Sequence, residues 1–244
     1  MEAIHRIERL MTKKKKVNGT NGSSNGHVNG ESEYKLLREF KPKTRNQSDY
    51  VRAIAENDVV FCTGPAGTGK TAVAVGIGCE HLVHGKVNKI VITRPVVEAG
   101  RGIGYLPGTA NEKLHPYLLP ILDEMSMYFS SMELKKLMDN DIIEIAPLEY
   151  MRGRNFHRSF MILDEGQNAT YDQLKMFVTR MGSNTKCLVN GDLKQSDLVE
   201  HGTTGLQIFV EKLADIEGVA IQELTNIDIV RNPIITKILE KLDS

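Results

Sequence analysis

Residues 64–71 read Gly64-Pro65-Ala66-Gly67-Thr68-Gly69-Lys70-Thr71, the pattern G-x-x-x-x-G-K-[ST], between an apolar run, Val59–Thr63, and a helix-forming stretch. The pattern requires a strand, a tight turn and a helix in that order. Its glycines let backbone N–H groups close around a phosphate, and the positive end of the helix faces the anion. Lys70 adds a point charge at the β/γ oxygens, and Thr71 offers a hydroxyl to Mg²⁺. By chance alone the pattern arises in about one chain in a hundred of this length, and the strand that precedes it here lowers that figure further.

The rest of the chain fits the same architecture. Short β-branched runs alternate with helical stretches, which is how βαβ units feed a parallel sheet. The predicted strands are Val59–Thr63, Lys89–Thr93, Ile142–Ala146, Ser159–Leu163, Lys186–Asn190 and Val219–Leu224. The clearest predicted helix runs from Tyr171 to Met181, where Leu174, Phe177, Val178 and Met181 recur at helical spacing and Thr170 with Gln173 forms a capping box. A last helix is expected from Pro233, with Ile234, Ile238 and Leu242 on one face. The expectation is one α/β domain over residues 34–244, a mostly parallel sheet flanked by helices. Residues 1–33 carry Lys13 to Lys16 and then a Gly/Ser/Asn tract that buries too little surface to offset backbone entropy, so they are read as a disordered tail.

Composition removes several classes. Of 244 residues, 31 are basic and 31 acidic, so no bulk field holds a polyanion and any nucleic-acid contact must be local. No apolar run approaches the ~18 residues of a membrane-spanning helix. Cys62, Cys79 and Cys187 lack metal-site or CxxC spacing, and they are read as reduced thiols of a cytoplasmic protein.

Two further strand ends carry polar chemistry. Phe160 to Leu163 runs into Asp164-Glu165. Asp164 is placed to hold the Mg²⁺ water shell, and Glu165, one residue on, to orient an attacking water. Cys187 to Asn190 runs into Gly191-Asp192-Leu193-Lys194-Gln195, where Gln195 is the expected sensor of the γ-phosphate.

Together these elements resemble the PhoH family. The resemblance rests on Asp164-Glu165-Gly166-Gln167-Asn168, Lys175 to Arg180, Gly191-Asp192 with Gln195, Thr93-Arg94-Pro95 with Leu106-Pro107-Gly108, Ala146 to Arg154, and Asp228 to Arg231. It spans about Lys41 to Leu242. Asn190, Gly166 and Asn232 stand where Thr, Ala and His are usual. The resemblance implies a RecA-like P-loop core related to superfamily 1 helicases, which binds and hydrolyses ATP and is tied to phosphate starvation and RNA metabolism. It also implies that Gln47 reads the adenine edge, favouring ATP over GTP, and that Thr93 and Arg94 touch single-stranded RNA or DNA, with Arg101, Arg152, Arg154 and Arg158 as further phosphate contacts. A single such core lacks the arginine that a second core supplies in helicases. A head-to-tail ring, expected to be a hexamer, would supply it in trans from Arg231 or Arg180. Some family members carry a fused nuclease, and residues 1–33 are too few to form one, so no ribonuclease activity is expected. The alternatives are a small-molecule kinase with its acceptor site in residues 94–108, or a nucleotide-dependent interaction protein with little turnover.

Overall fold

The structure is a computed structural model and describes residues 34–95, 110–193, 204–229 and 241, with the backbone alone for residues 110–117. The elements are α1 (Arg45–Glu56), β1 (Val59–Thr63), α2 (Lys70–Val83), β2 (Lys89–Arg94), α3 (Ala110–Met125), α4 (Ser131–Asp139), β3 (Ile143–Pro147), β4 (Ser159–Leu163), α5 (Tyr171–Val178), β5 (Lys186–Gly191), α6 (Gly205–Leu213) and β6 (Val219–Glu223). Among the described residues the strands form one six-stranded sheet in the order β3-β2-β4-β5-β1-β6, parallel throughout. β1 and β4 are buried at every residue, which explains why their sequences are unbroken apolar runs: helices cover both faces. Val60, Cys62, Ile90, Ile92 and Ile162 point to the core shared with α1 to α4, and Val59, Phe61, Val91, Met161 and Leu163 to the core shared with α5 and α6.

Register positions the chemistry. Thr63 lies opposite Gly191, Leu163 opposite Val189, and Thr93 opposite Leu163. The carboxyl ends of β1, β5, β4 and β2 therefore finish side by side, and the residues just past them share one rim. In open parallel sheets that rim is where ligands bind.

The predicted strands recur with shifts of one residue at some ends. The helix predicted over Tyr171–Met181 stops at Val178, because Met181 turns away to bridge Phe156 and the Gly182 N–H bonds the Phe156 carbonyl at 2.7 Å. Its start is as expected: Thr170 and Gln173 form the reciprocal capping box. All three cysteines are buried with free thiols, and burial raises the pKa of each. Among the described residues no helix is long and apolar enough to cross a membrane. Residues 1–33 and the helix expected from Pro233 lie outside the described residues.

His81, in the last turn of α2, is buried edge-on against Phe160 with ring centroids 5.1 Å apart. Burial, followed by Lys86, Lys186 and His84, lowers its pKa to about 4 from 6.5. Between those values the unfolded chain binds a proton that the folded one refuses, so stability falls as pH drops through the window and is unaffected above it. The expected loss by pH 5 is on the order of 1–2 kcal/mol. Urea unfolding of wild type and His81→Leu at pH 7 and pH 5 checks this: the wild type should lose that increment between the two pH values and the variant should not.

Candidate functional site

The loop after β1 begins at Gly64 and ends at Gly69, the α2 N-cap, which sits at φ 91° and has no side chain with which to cap the helix. The first-turn N–H groups of α2 thus have no capping side chain there. Lys70 Nζ folds back to donate to the carbonyls of Gly64 at 2.5 Å and Pro65 at 2.9 Å, and the Thr68 hydroxyl donates to Pro65 O at 2.9 Å. Gly64 is held at φ 144°, tight against the Leu224 carbonyl at the exit of β6.

α1 braces this loop. Thr44 caps the helix by accepting from the Gln47 N–H, and the buried Gln47 side chain then reaches the loop. Its Nε2 donates to Thr68 O at 2.9 Å and its Oε1 accepts from Lys43 N at 2.8 Å. One N–H and one lone pair of the carboxamide stay unassigned in this pairing. From the same helix, the Tyr50 hydroxyl donates to Asn190 Oδ1 at 2.7 Å, joining α1 to the end of β5.

Across the rim, Asp164 is 2% exposed and uses both carboxylate oxygens. Oδ1 accepts from the Thr71 hydroxyl at 2.8 Å, and Oδ2 accepts from Arg94 Nη2 at 2.7 Å and Nε at 3.0 Å. Glu165 is half exposed and left-handed, with φ 56° and ψ 40°, a conformation costly for a residue with a Cβ that persists where the surroundings enforce it. Arg94 Nη2 lies 3.3 Å from its Oε1, and Gln167 Nε2 donates to its Oε2 at 2.7 Å. Gln167 Oε1 in turn accepts from the Asp192 N–H at 3.0 Å, so this side chain links the Glu165 carboxylate to the end of β5. The Thr71–Asp164 pair is a hydroxyl and a carboxylate beside the phosphate loop, hard oxygen donors of the kind that hold hydrated Mg²⁺.

Of the two residues expected to meet nucleic acid, Thr93 is fully buried, and Arg94, 16% exposed, pairs with the two acidic residues of this rim. Arg154 is likewise committed: it forms a bidentate pair with Glu144, which holds that carboxyl at about 2, and it stacks on Phe156. Arg180 sits near the amino end of β4, with Nε on Met176 O and Nη1 on Arg154 O. The structure therefore does not bring Arg180 to the rim that carries Lys70 and Asp164 in the same chain. Gln195, Arg231 and Arg101 lie outside the described residues. Sequence reasoning gave no role to Gln167, and the available signal was its place two residues past Glu165, on a turn facing the neighbouring strand end.

Residues 39–243 match the family described as PhoH-like protein. The chain belongs to the PhoH family. A PhoH-like protein of Bacillus subtilis (strain 168) is 45% identical over 206 residues, which cover 84% of this chain and 65% of that protein. Protein PhoH of Escherichia coli (strain K12) is 38% identical over 195 residues, 79% of this chain and 55% of that one. This PhoH chain thus spans about three-fifths of the length of the curated relatives it matches. Among solved structures, the large terminase of a thermophilic bacteriophage aligns over 83% of this chain and 50% of its own, with TM-score 0.55 at 9% identity. A crystal form of that terminase in complex with ADP aligns with TM-score 0.52 at 10% identity, over 82% and 50%. At such identity the likeness concerns the fold, and the PhoH domain has the RecA-like P-loop architecture.

Proposed function

We propose that this PhoH domain binds ATP at the 64–71 loop and hydrolyses it. The observation that carries the proposal is the convergence, on one rim, of Lys70, the Thr71–Asp164 pair and Glu165. In this reading Lys70 exchanges its two loop carbonyls for β- and γ-phosphate oxygens, and backbone N–H groups of the loop and first turn of α2 hold the β-phosphate. Mg²⁺, when bound, offsets charge on the phosphates, and Thr71 with Asp164 are the residues that would hold it. Glu165 orients a water whose oxygen attacks the γ-phosphorus as the bond to the β-phosphate oxygen breaks, and accepts the proton that water sheds. The spare N–H and lone pair of Gln47 match the N7 and N6–H edge of adenine, which guanine lacks. The ADP named with the phage terminase supports a nucleotide on this architecture.

The proposal extends to RNA or single-stranded DNA acting on the β3 side of the rim. There the turn after β3 exposes Tyr150, 58% accessible, and Arg152, one base-stacking and one phosphate-binding group. A homomeric ring with Arg231 reaching a neighbouring site, in the cytoplasm, completes this reading.

Calorimetry with Mg·ATP and phosphate release with and without single-stranded RNA test it together. The wild type is expected to bind ATP more tightly than GTP and to turn over faster with the polymer, whereas Lys70→Ala loses binding by about 100-fold or more. Equal, weak binding by the wild type and Lys70→Ala would remove the nucleotide site from consideration.

A further inference from the structure

Arg94 is the feature of the rim that the scheme above leaves unused. Its guanidinium is largely buried, bears on Asp164 through two nitrogens, and reaches Glu165 with one of them. Asp164 is in turn bonded to Thr71, so the guanidinium stands one carboxylate away from the hydroxyl on the first turn of α2. The position follows from register: Thr93 pairs with Leu163, which sets Arg94 against Asp164 across neighbouring strands.

Resting on the ATP-site reading, we propose that Arg94 is the residue by which this site tells ATP from ADP. A divalent cation held by Thr71 and Asp164 would share one buried carboxylate with a guanidinium, and the two positive charges repel in a poorly screened setting. An additional anion brought to this rim would draw the guanidinium away from the carboxylates. With ATP that anion would be the γ-phosphate of a nucleotide held by the 64–71 loop. Arg94 moves from the carboxylates to it, forming new charge-assisted hydrogen bonds and leaving Glu165 on Gln167 alone. ADP lacks the γ-phosphate, so Arg94 stays on Asp164 and opposes the cation. Mg·ADP is thereby held weakly, and Glu165 is released for water only when a γ-phosphate is in place.

The test uses the whole chain, a fluorescent ADP and a non-hydrolysable fluorescent ATP analogue, with Mg²⁺ titrated at fixed nucleotide. Arg94→Gln is expected to bind Mg·ADP about fivefold more tightly than the wild type and to lower its preference for the ATP analogue about tenfold. Its half-saturating Mg²⁺ with ADP should fall as well. A merely structural arginine would weaken both nucleotides together and leave their ratio unchanged, and that result overturns the proposal. If Arg94→Gln fails to fold, Arg94→Lys decides. With the intrinsic Mg²⁺ affinities of the two free nucleotides subtracted, the wild type should still need more Mg²⁺ with ADP than with the ATP analogue, and Arg94→Lys should narrow that difference. Equal corrected requirements in the wild type overturn the assignment. A wild type that binds neither nucleotide fails at the underlying ATP-site reading, a different outcome from binding both with an unchanged ratio.

Discussion

Glu165→Gln is expected to bind Mg·ATP within a few-fold of the wild type and to lose about 10²–10⁴ of its turnover. The substitution keeps side-chain shape and the left-handed backbone at φ 56°, and the amide oxygen can still accept from Gln167 Nε2. What it removes is the negative charge that takes up the proton of the attacking water. Lys70, Thr71 and Asp164 are untouched, so the energy of binding the phosphates is preserved while the transition state loses its base. Single-turnover phosphate release beside calorimetric binding separates the two quantities. Turnover within tenfold of the wild type would move the base to another group on the rim.

Gly64→Ala is expected to lose nucleotide binding and to lower the melting temperature by about 10 °C, from a cost of about 3 kcal/mol or more. A Cβ at this position would lie 2.1 Å from the Leu224 carbonyl oxygen, on a backbone already at φ 144°. Neither partner is a flexible side-chain tip. Leu224 is tied down by its own N–H to Thr63 O at 2.8 Å, so relief means parting the start of the phosphate loop from the exit of β6. Gly153→Ala provides the contrast. It has φ 74° with nothing within 4 Å of the added methyl, and it should cost only the backbone term of roughly 1 kcal/mol. Thermal unfolding of both variants distinguishes a clash from a conformational preference; equal, small shifts would mean that the loop and β6 part easily.

Much of this protein was legible in one dimension. A strand buried on both faces must be apolar throughout, so Val59–Thr63 and Ser159–Leu163 are recognisable with their full extents. A glycine-rich turn before a lysine and a hydroxyl has a local stereochemical reason to exist, and the Thr170–Gln173 cap is likewise written in residues three apart. Strand ends that finish in Asp164-Glu165 and Gly191-Asp192 mark the polar rim for the same reason, since the ladder ends there and a carboxylate can find hydrogen-bond donors from neighbouring loops, as Asp164 does from Thr71 and Arg94. What the local pattern leaves open is which strand end lies beside which. That order is settled by how whole helices pack on the two faces, and it puts β5 between β1 and β4 and β2 on the far side of β4. From that order follow contacts that the sequence by itself passed over. Thr93 is buried, Arg94 pairs with Asp164 and Glu165, and Gln167 connects Glu165 to the backbone of Asp192. Each pairs residues 25 or more positions apart or depends on such a pairing, and the energy of a buried charge pair depends on separations of a few ångströms that only the assembled sheet sets.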